Sequence, residues 1–193
     1  MIPDNRLGDI DRSAQFSVRV RGPGELLVDY EQGGVALQDA SQGLQVQLWT
    51  LRYEDGDFLL SAENVPETVL FSRPGVEQIG LAFDNNMAPF VAFQDAGGVA
   101  YYWFDISQGQ FVISDYLPAG SHSPRCTLDE KRELLDSWRD IILAYLRDGN
   151  LYYRQQRDNY GTERLLESGN FIDLVAVGMN RQNSLQFLVM EGA

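Results

Sequence analysis

The chain has 193 residues, with 15 Lys or Arg against 28 Asp or Glu, so its formal net charge at pH 7 is −13. So acidic a surface offers no clustered cations to the phosphates of nucleic acid or to anionic lipid, and we expect neither nucleic-acid binding nor membrane insertion. Hydrophobic residues make up 44% of the chain and charged residues 22%, which is the composition of a folded globular protein rather than a disordered one.

The negative charge is concentrated in the first part of the chain. Residues 22–124 contain two cations, Arg52 and Arg73, against fourteen acidic residues, whereas residues 125–164 contain eight of each sign. The change coincides with a Pro-, Gly- and Ser-rich linker at 118–124. We therefore predict an acidic β-rich part over residues 1–120 and a part with a helix and β-hairpins over 121–193, packed together as a single unit.

Period-two alternation of apolar and polar residues predicts strands along the first part. Residues 16–21 alternate, Gly22-Pro23-Gly24 breaks the run, and residues 25–30 read as the returning strand. The stretch 44–51 alternates cleanly and is followed by Glu54-Asp55-Gly56-Asp57 and the apolar residues 58–60. Because Asp-Gly readily adopts the positive φ angles of a tight turn, this segment predicts a β-hairpin.

The same reading predicts further hairpins downstream. Residues 79–104 read as a three-stranded meander, with strands at 79–83, 90–93 and 99–104. A hairpin is predicted for 141–156 around Arg147-Asp148-Gly149-Asn150, and another for 171–190 with its turn at 180–183.

These patterns predict an all-β fold of antiparallel hairpins and meanders, arranged either as a sandwich or as propeller-like blades. Similar apolar segments begin at Ile79, Ile141 and Ile172, at spacings of 62 and 31 residues. The spacing suggests a degenerate repeat of about 31 residues, although any array of hairpins shows comparable self-similarity.

One short helix is predicted near residues 127–138. Thr127 followed by Glu130 has the spacing of a capping box. Four apolar side chains then fall on roughly one helical face: Leu128, Leu134, Leu135 and Trp138.

The sequence assigns no catalytic, cofactor-binding or metal-ligating residue, and we expect no cofactor. His122 is the only histidine and Cys126 the only cysteine, so a Cys–His pair is conceivable here, but an incidental loop histidine beside a half-buried thiol is favoured. Acidic residues near strand ends, including Asp84, Asp95 and Asp105, could form a carboxylate pair, but 28 acidic residues make such pairs uninformative.

Consecutive aromatic residues are the strongest candidates for contacts with a ligand or partner. In a strand, neighbouring side chains point to opposite faces, so one ring of each pair is expected in the core and the other can be exposed. The candidates for an interface or glycan contact are Tyr102, Trp103, Tyr152 and Tyr153. Burial between two layers of β-structure is the alternative for each ring.

Several segments between residues 44 and 190 resemble virion tail proteins of tailed bacteriophages. The resemblance is carried by Leu44-Gln-Val-Gln-Leu-Trp-Thr-Leu-Arg-Tyr, by Ile79-Gly-Leu-Ala-Phe-Asp-Asn-Asn-Met-Ala-Pro-Phe-Val-Ala-Phe, and by Asp140-Ile-Ile-Leu-Ala-Tyr-Leu-Arg-Asp-Gly-Asn-Leu-Tyr-Tyr-Arg-Gln-Gln-Arg-Asp. The similarity is to a structural module and includes no catalytic signature.

The resemblance implies a non-enzymatic structural component of a tail tip, baseplate or fibre, acting in tail assembly or host-receptor attachment. Its partners would be other tail proteins and further copies of itself, with a host receptor or glycan as a further candidate. It would be synthesised in the host cytoplasm and end in the virion tail. We expect no secretion signal, because the first ten residues lack a basic segment followed by an apolar run. The alternative function is a carbohydrate-binding or sialidase-like β-propeller module.

Overall fold

A computed structural model describes residues 16–21, 31–40, 43–84, 86–131, 138–179 and 185–192. The only helical element in these ranges is a 3₁₀ turn, Gln156–Asp158. The strands are β1 (Phe16–Arg21), β2 (Glu31–Ala40), β3 (Gly43–Glu54), β4 (Asp57–Ala62), β5 (Val65–Ser72), β6 (Gln78–Phe83), β7 (Pro89–Asp95), β8 (Gly98–Asp105), β9 (Gln110–Ile113), β10 (His122–Lys131), β11 (Trp138–Arg147), β12 (Asn150–Gln155), β13 (Arg164–Glu167), β14 (Phe171–Met179) and β15 (Leu185–Glu191).

The strands form four successive sheets. Sheet 1 is β2-β3-β4-β5, sheet 2 is β6-β7-β8-β9 and sheet 3 is β10-β11-β12-β13, each an antiparallel meander. Sheet 4 has the order β1-β15-β14, in which β14 and β15 are antiparallel and β1 joins β15 in parallel. The all-β fold of hairpins and meanders is thus confirmed.

The two predicted Asp-Gly hairpins are present. Asp55 and Gly56 connect β3 to β4 with φ angles of 52° and 92°, and Asp148 and Gly149 connect β11 to β12 with φ angles of 52° and 74°. Two successive residues of positive φ fit the right-handed twist of the flanking strands, which is why this dipeptide recurs at both turns.

The sheets stack face to face, so that the two middle sheets are buried on both sides. On β6, Ile79 and Leu81 face sheet 1, while Ala82 faces sheet 3. The same division holds on β11, where Leu143 faces sheet 2 and Ile142 faces sheet 4. Three apolar clusters therefore lie between four sheets.

Consecutive sheets contact each other through edge strands. β2 lies against β6, β6 against β10, and β10 against β14. These strands begin at residues 31, 78, 122 and 171, so the structural unit is longer than the 31-residue repeat expected from sequence. That expectation was wrong because it compared β6, the first strand of sheet 2, with β11, the second strand of sheet 3.

The predicted helix at 127–138 is also wrong where the structure describes it. Residues 127–131 belong to β10 and pair with β11, with Thr127 opposite Ile142 and Leu128 opposite Ile141. Ladder hydrogen bonds and the packing of Leu128 against the cluster between sheets 2 and 3 override the local capping pattern. Residues 132–137 lie outside the described residues.

The N-terminal pairing differs in part from the prediction. Residues 16–21 form a strand as predicted, but their partner is β15 at the other end of the chain. The predicted turn at 22–24 and strand at 25–30 lie outside the described residues, as does the turn at 180–183.

We expect Phe93→Ala to destabilise the fold by about 3–5 kcal/mol, because the fully buried ring fills the space between sheets 1 and 2. Its ring centroid lies 5.6 Å from that of Phe58 and 5.7 Å from that of Phe71. The free energy of unfolding from urea titration measures the loss. Phe111→Ala, which removes a ring that is 39% exposed, is the control and should cost about 1 kcal/mol; equal losses would contradict the burial of Phe93 between sheets 1 and 2.

Candidate functional site

The four aromatic candidates lie in different surroundings. Tyr153 is completely buried between sheets 3 and 4, and Tyr102 is buried between stacked rings of Phe71 and Phe111, with centroid distances of 4.6 and 4.9 Å. Trp103 and Tyr152 remain partly exposed. A ligand or partner can therefore reach only the latter two from solvent.

Both partly exposed rings are held by neighbouring groups. Trp103 meets Tyr160 edge to face at a centroid distance of 5.6 Å. The Arg147 guanidinium lies 4.6 Å from the centroid of the Tyr152 ring and also forms a bidentate pair with Glu163, at 2.6 and 2.7 Å. The first contact joins sheet 2 to the β12–β13 connection, where Trp103 and Tyr160 also line a small cavity of about 10 Å³. The second contact lies within sheet 3 and its connection.

The acidic residues at the ends of β6, β7 and β8 share one structural role. Asp84 accepts a hydrogen bond from the Asn86 N–H, Asp95 from Gly97 and Asp105 from Ser107, each at 2.8 Å. A carboxylate that binds the backbone two residues ahead stabilises a turn. Asp95 differs from the other two because its carboxylate also binds side chains from two other connections.

His122 and Cys126 do not form a pair. They lie four residues apart on β10, a separation on the order of 10 Å along a strand, and His122 Nδ1 lies 3.1 Å from Ser123 Oγ. Burial lowers the pKa of His122, against the opposing effect of Asp173. Burial raises the pKa of Cys126 to about 12, so its thiol is a packing group of the cluster between sheets 2 and 3.

One polar cluster near the surface joins Arg73, Asp95 and Tyr116. Arg73 Nε donates to Asp95 Oδ2 at 2.7 Å, and Arg73 Nη2 donates to the Tyr116 hydroxyl. That hydroxyl in turn lies 2.9 and 3.0 Å from the two Asp95 oxygens, to which it donates. The three side chains come from the β5–β6 connection, the end of β7 and the β9–β10 connection.

Contacts within the cluster shift the pKa of each of its three members. Burial alone would raise the pKa of Asp95, but hydrogen bonds from Gly97, Tyr116 and Arg73 lower it below its ordinary value. The hydrogen bond and charge of Asp95 raise the pKa of Arg73, although partial burial opposes the change, and the hydrogen bond to Asp95 also raises the pKa of Tyr116. The carboxylate and guanidinium therefore form a stable ion pair at neutral pH.

A shallow cleft opens beside this cluster. Its volume is about 390 Å³, and its walls are Arg73, Pro74, Gly75, the turn at 95–97 and Tyr116. Sequence reasoning considered Asp95 only as one of many acidic residues and did not consider Arg73 or Tyr116 as site residues. The sequence did contain one indication of this site: Arg73 is one of only two cationic residues in residues 22–124.

The outer face of sheet 1 is a second exposed feature. We use this name for Val46, Leu48 and Val69, which are 57%, 68% and 50% exposed, together with the ion pair of Arg52 and Glu67 at 3.1 Å. These side chains point away from the cluster between sheets 1 and 2, because Leu51 on β3 and Leu70 on β5 pack into that cluster. The result is an apolar sheet face in contact with solvent.

In the described ranges, no group of three or more His, Cys, Asp or Glu residues is placed to hold a metal ion. The same part of the chain contains no helix with the length and hydrophobicity needed to cross a membrane.

A scan against models of known protein families finds no match to this chain, and a search of curated proteins finds none either.

We expect Asp95→Asn to weaken the dependence of stability on acid pH. A lowered carboxyl pKa contributes stability that is present above the ordinary value of about 3.9 and is lost as the pH falls through the lowered one. Urea midpoints between about pH 5 and pH 2 should thus fall less steeply in the variant. Asp148→Asn, at a carboxylate that is 82% exposed, is the matched control and should keep the wild-type slope; an unchanged slope in Asp95→Asn would contradict the pairing.

We expect native Cys126 to resist alkylation by iodoacetamide at about pH 8, because only the thiolate reacts and burial keeps this group protonated. The thiol should react fully once the chain is unfolded in urea. Mass spectrometry of the labelled protein measures both states, and rapid native labelling would show that the gap between sheets 2 and 3 opens.

Proposed function

We propose that this protein is a non-enzymatic structural component of a phage tail, at the tip, baseplate or fibre, and that it joins neighbouring subunits through the outer face of sheet 1. The observation that carries the proposal is the exposure of Val46, Leu48 and Val69 on one side of a sheet whose other side is buried. The similarity of residues 44–190 to tail proteins supports the same class of function.

An exposed apolar sheet face favours association. A sheet in this fold buries its apolar side chains when another sheet covers them, as happens on both sides of sheets 2 and 3. Covering a half-exposed Val or Leu removes apolar surface from water at roughly 25 cal/mol per Å². Exposed apolar side chains that share one face of a sheet favour the use of that face as an interaction surface.

The charges beside the patch favour a specific neighbour rather than unselective aggregation. Arg52 and Glu67 lie on the outer face of sheet 1 and pair with each other, and Arg52 also lies 3.1 Å from Glu54. Charged groups at the edge of an apolar patch set orientation and exclude wrong partners more than they add affinity. We expect the neighbour to be a second copy of this chain or another tail subunit.

We expect Leu48→Glu to abolish this association while the protein stays folded, because the side chain is 68% exposed and contributes little to the core. Sedimentation velocity of the purified protein and its incorporation into tail particles measure the effect. Ile106→Glu is the matched control, since Ile106 is 75% exposed on the β8–β9 turn and lies outside this face.

The control should assemble as the wild type does. A wild-type protein that stays monomeric, joins no tail and binds no other tail protein would contradict the proposal. Loss of assembly in both variants would place the contact elsewhere.

A further inference from the structure

The cleft beside Arg73, Asp95 and Tyr116 has the features of a ligand site. It takes no part in the proposed association through the outer face of sheet 1. Its volume of about 390 Å³ lies at the lower end of the range for small-molecule sites. It offers an aromatic ring, since Tyr116 is 43% exposed, and a guanidinium whose side chain is 34% exposed. These groups converge on one opening between three connections.

The walls of the cleft are fixed before any ligand arrives. Asp95 accepts hydrogen bonds from the Gly97 N–H, the Tyr116 hydroxyl and Arg73 Nε. The Tyr116 ring lies directly on the backbone of Gly97, where a Cβ atom would overlap the ring. A site held in this way loses little conformational entropy on binding.

The polar groups of the cleft that can still form hydrogen bonds with a ligand are donors. Each oxygen of the Asp95 carboxylate already accepts from its neighbours, whereas Arg73 Nη1 donates to no group in the part of the chain that the structure describes. The guanidinium carbon lies 5.4 Å from the centroid of the Tyr116 ring, so the free N–H groups emerge beside an aromatic face. A ligand must therefore present acceptors next to a flat, weakly polar surface.

The charge balance selects a neutral ligand over an anionic one. Asp95 neutralises Arg73 at 2.7 Å, and residues 22–124 carry fourteen acidic residues against two cations. The field of this region repels anions, so the exposed donors of Arg73 favour hydroxyl oxygens over carboxylate or phosphate.

We propose that this cleft binds a neutral pyranose unit of a glycan, with a C–H face of the sugar ring on Tyr116 and hydroxyl oxygens accepting from Arg73. A sugar ring combines a flat apolar face with hydroxyl groups at its rim, which matches the groups in the cleft. The site is independent of the outer face of sheet 1, so it can exist whether or not the chain assembles through that face.

The test is binding of the labelled full chain to a printed array that carries neutral oligosaccharides of glucose, galactose, mannose and rhamnose beside sialylated and uronic-acid oligosaccharides. A neutral oligosaccharide that scores on the array is then titrated in solution against the wild type and three variants. Ala96→Trp fills the cleft while leaving every polar contact of the cluster in place, because Ala96 is an exposed residue of the β7–β8 turn. Tyr116→Ala removes the ring.

Ala119→Trp is the matched control, since Ala119 is exposed on the β9–β10 connection and does not line the cleft. We expect Ala96→Trp and Tyr116→Ala to weaken binding at least ~10-fold, a loss of about 1.4 kcal/mol, and Ala119→Trp to bind as the wild type. Circular dichroism and urea midpoints establish that each variant is folded. If Tyr116→Ala does not fold, Ala96→Trp still decides the result.

Three outcomes would overturn the proposal: no neutral glycan bound by the wild type, binding confined to the acidic glycans, or equal affinity in Ala96→Trp and Ala119→Trp. The readout is sugar binding in solution, so it is separate from the sedimentation and tail-incorporation results that test the structural role.

Discussion

Burial of the middle sheets on both faces is the constraint on which the rest of this structure depends. A strand in such a sheet must present apolar side chains at successive positions, because both faces lack water. Residues 79–83, 90–93 and 141–146 meet this condition. Small residues on one face make room for larger neighbours from the next sheet, as at Gly80, where a Cβ atom would lie 3.3 Å from Cys126 Sγ.

Apolar packing occupies most of the faces of sheets 2 and 3, and the two surface clusters described above lie at strand ends and in connections. The second strand of each middle sheet ends in a charged residue, Asp95 on β7 and Arg147 on β11. Asp95 pairs with Arg73 and Tyr116, whereas Arg147 pairs with Glu163, which also accepts a hydrogen bond of 2.5 Å from Tyr145. Each cluster combines an arginine, a carboxylate and a tyrosine hydroxyl, but the strand-end residue is the carboxylate in the first and the arginine in the second. The cluster at Asp95 lines a cleft of about 390 Å³.

The sequence predicts the local elements well and their assembly poorly. Asp55-Gly56 and Asp148-Gly149 impose tight turns through their own backbone preferences, so both hairpins were predicted correctly. The grouping of strands into sheets depends on contacts between distant segments, such as β1 with β15, which no local pattern contains. The helix predicted at 127–138 failed for the same reason, because pairing of Leu128 with Ile141 outweighs a four-residue capping pattern.

The candidate site was beyond local reasoning because its parts are far apart in the chain. Arg73 lies in the β5–β6 connection, Asp95 at the end of β7 and Tyr116 in the β9–β10 connection, and only the folded chain brings them together. Conversely, the consecutive aromatic residues that stand out in the sequence mainly pack in the core, since Tyr102 and Tyr153 are buried. In a fold whose sheets cover one another, aromatic runs indicate core rather than binding surface. The outer face of sheet 1 and the ends of the strands are then the places where the chain can meet other molecules. A sheet face and a set of strand ends point in different directions. A subunit that contacts its neighbour through the outer face of sheet 1 can therefore keep its strand ends open to solvent.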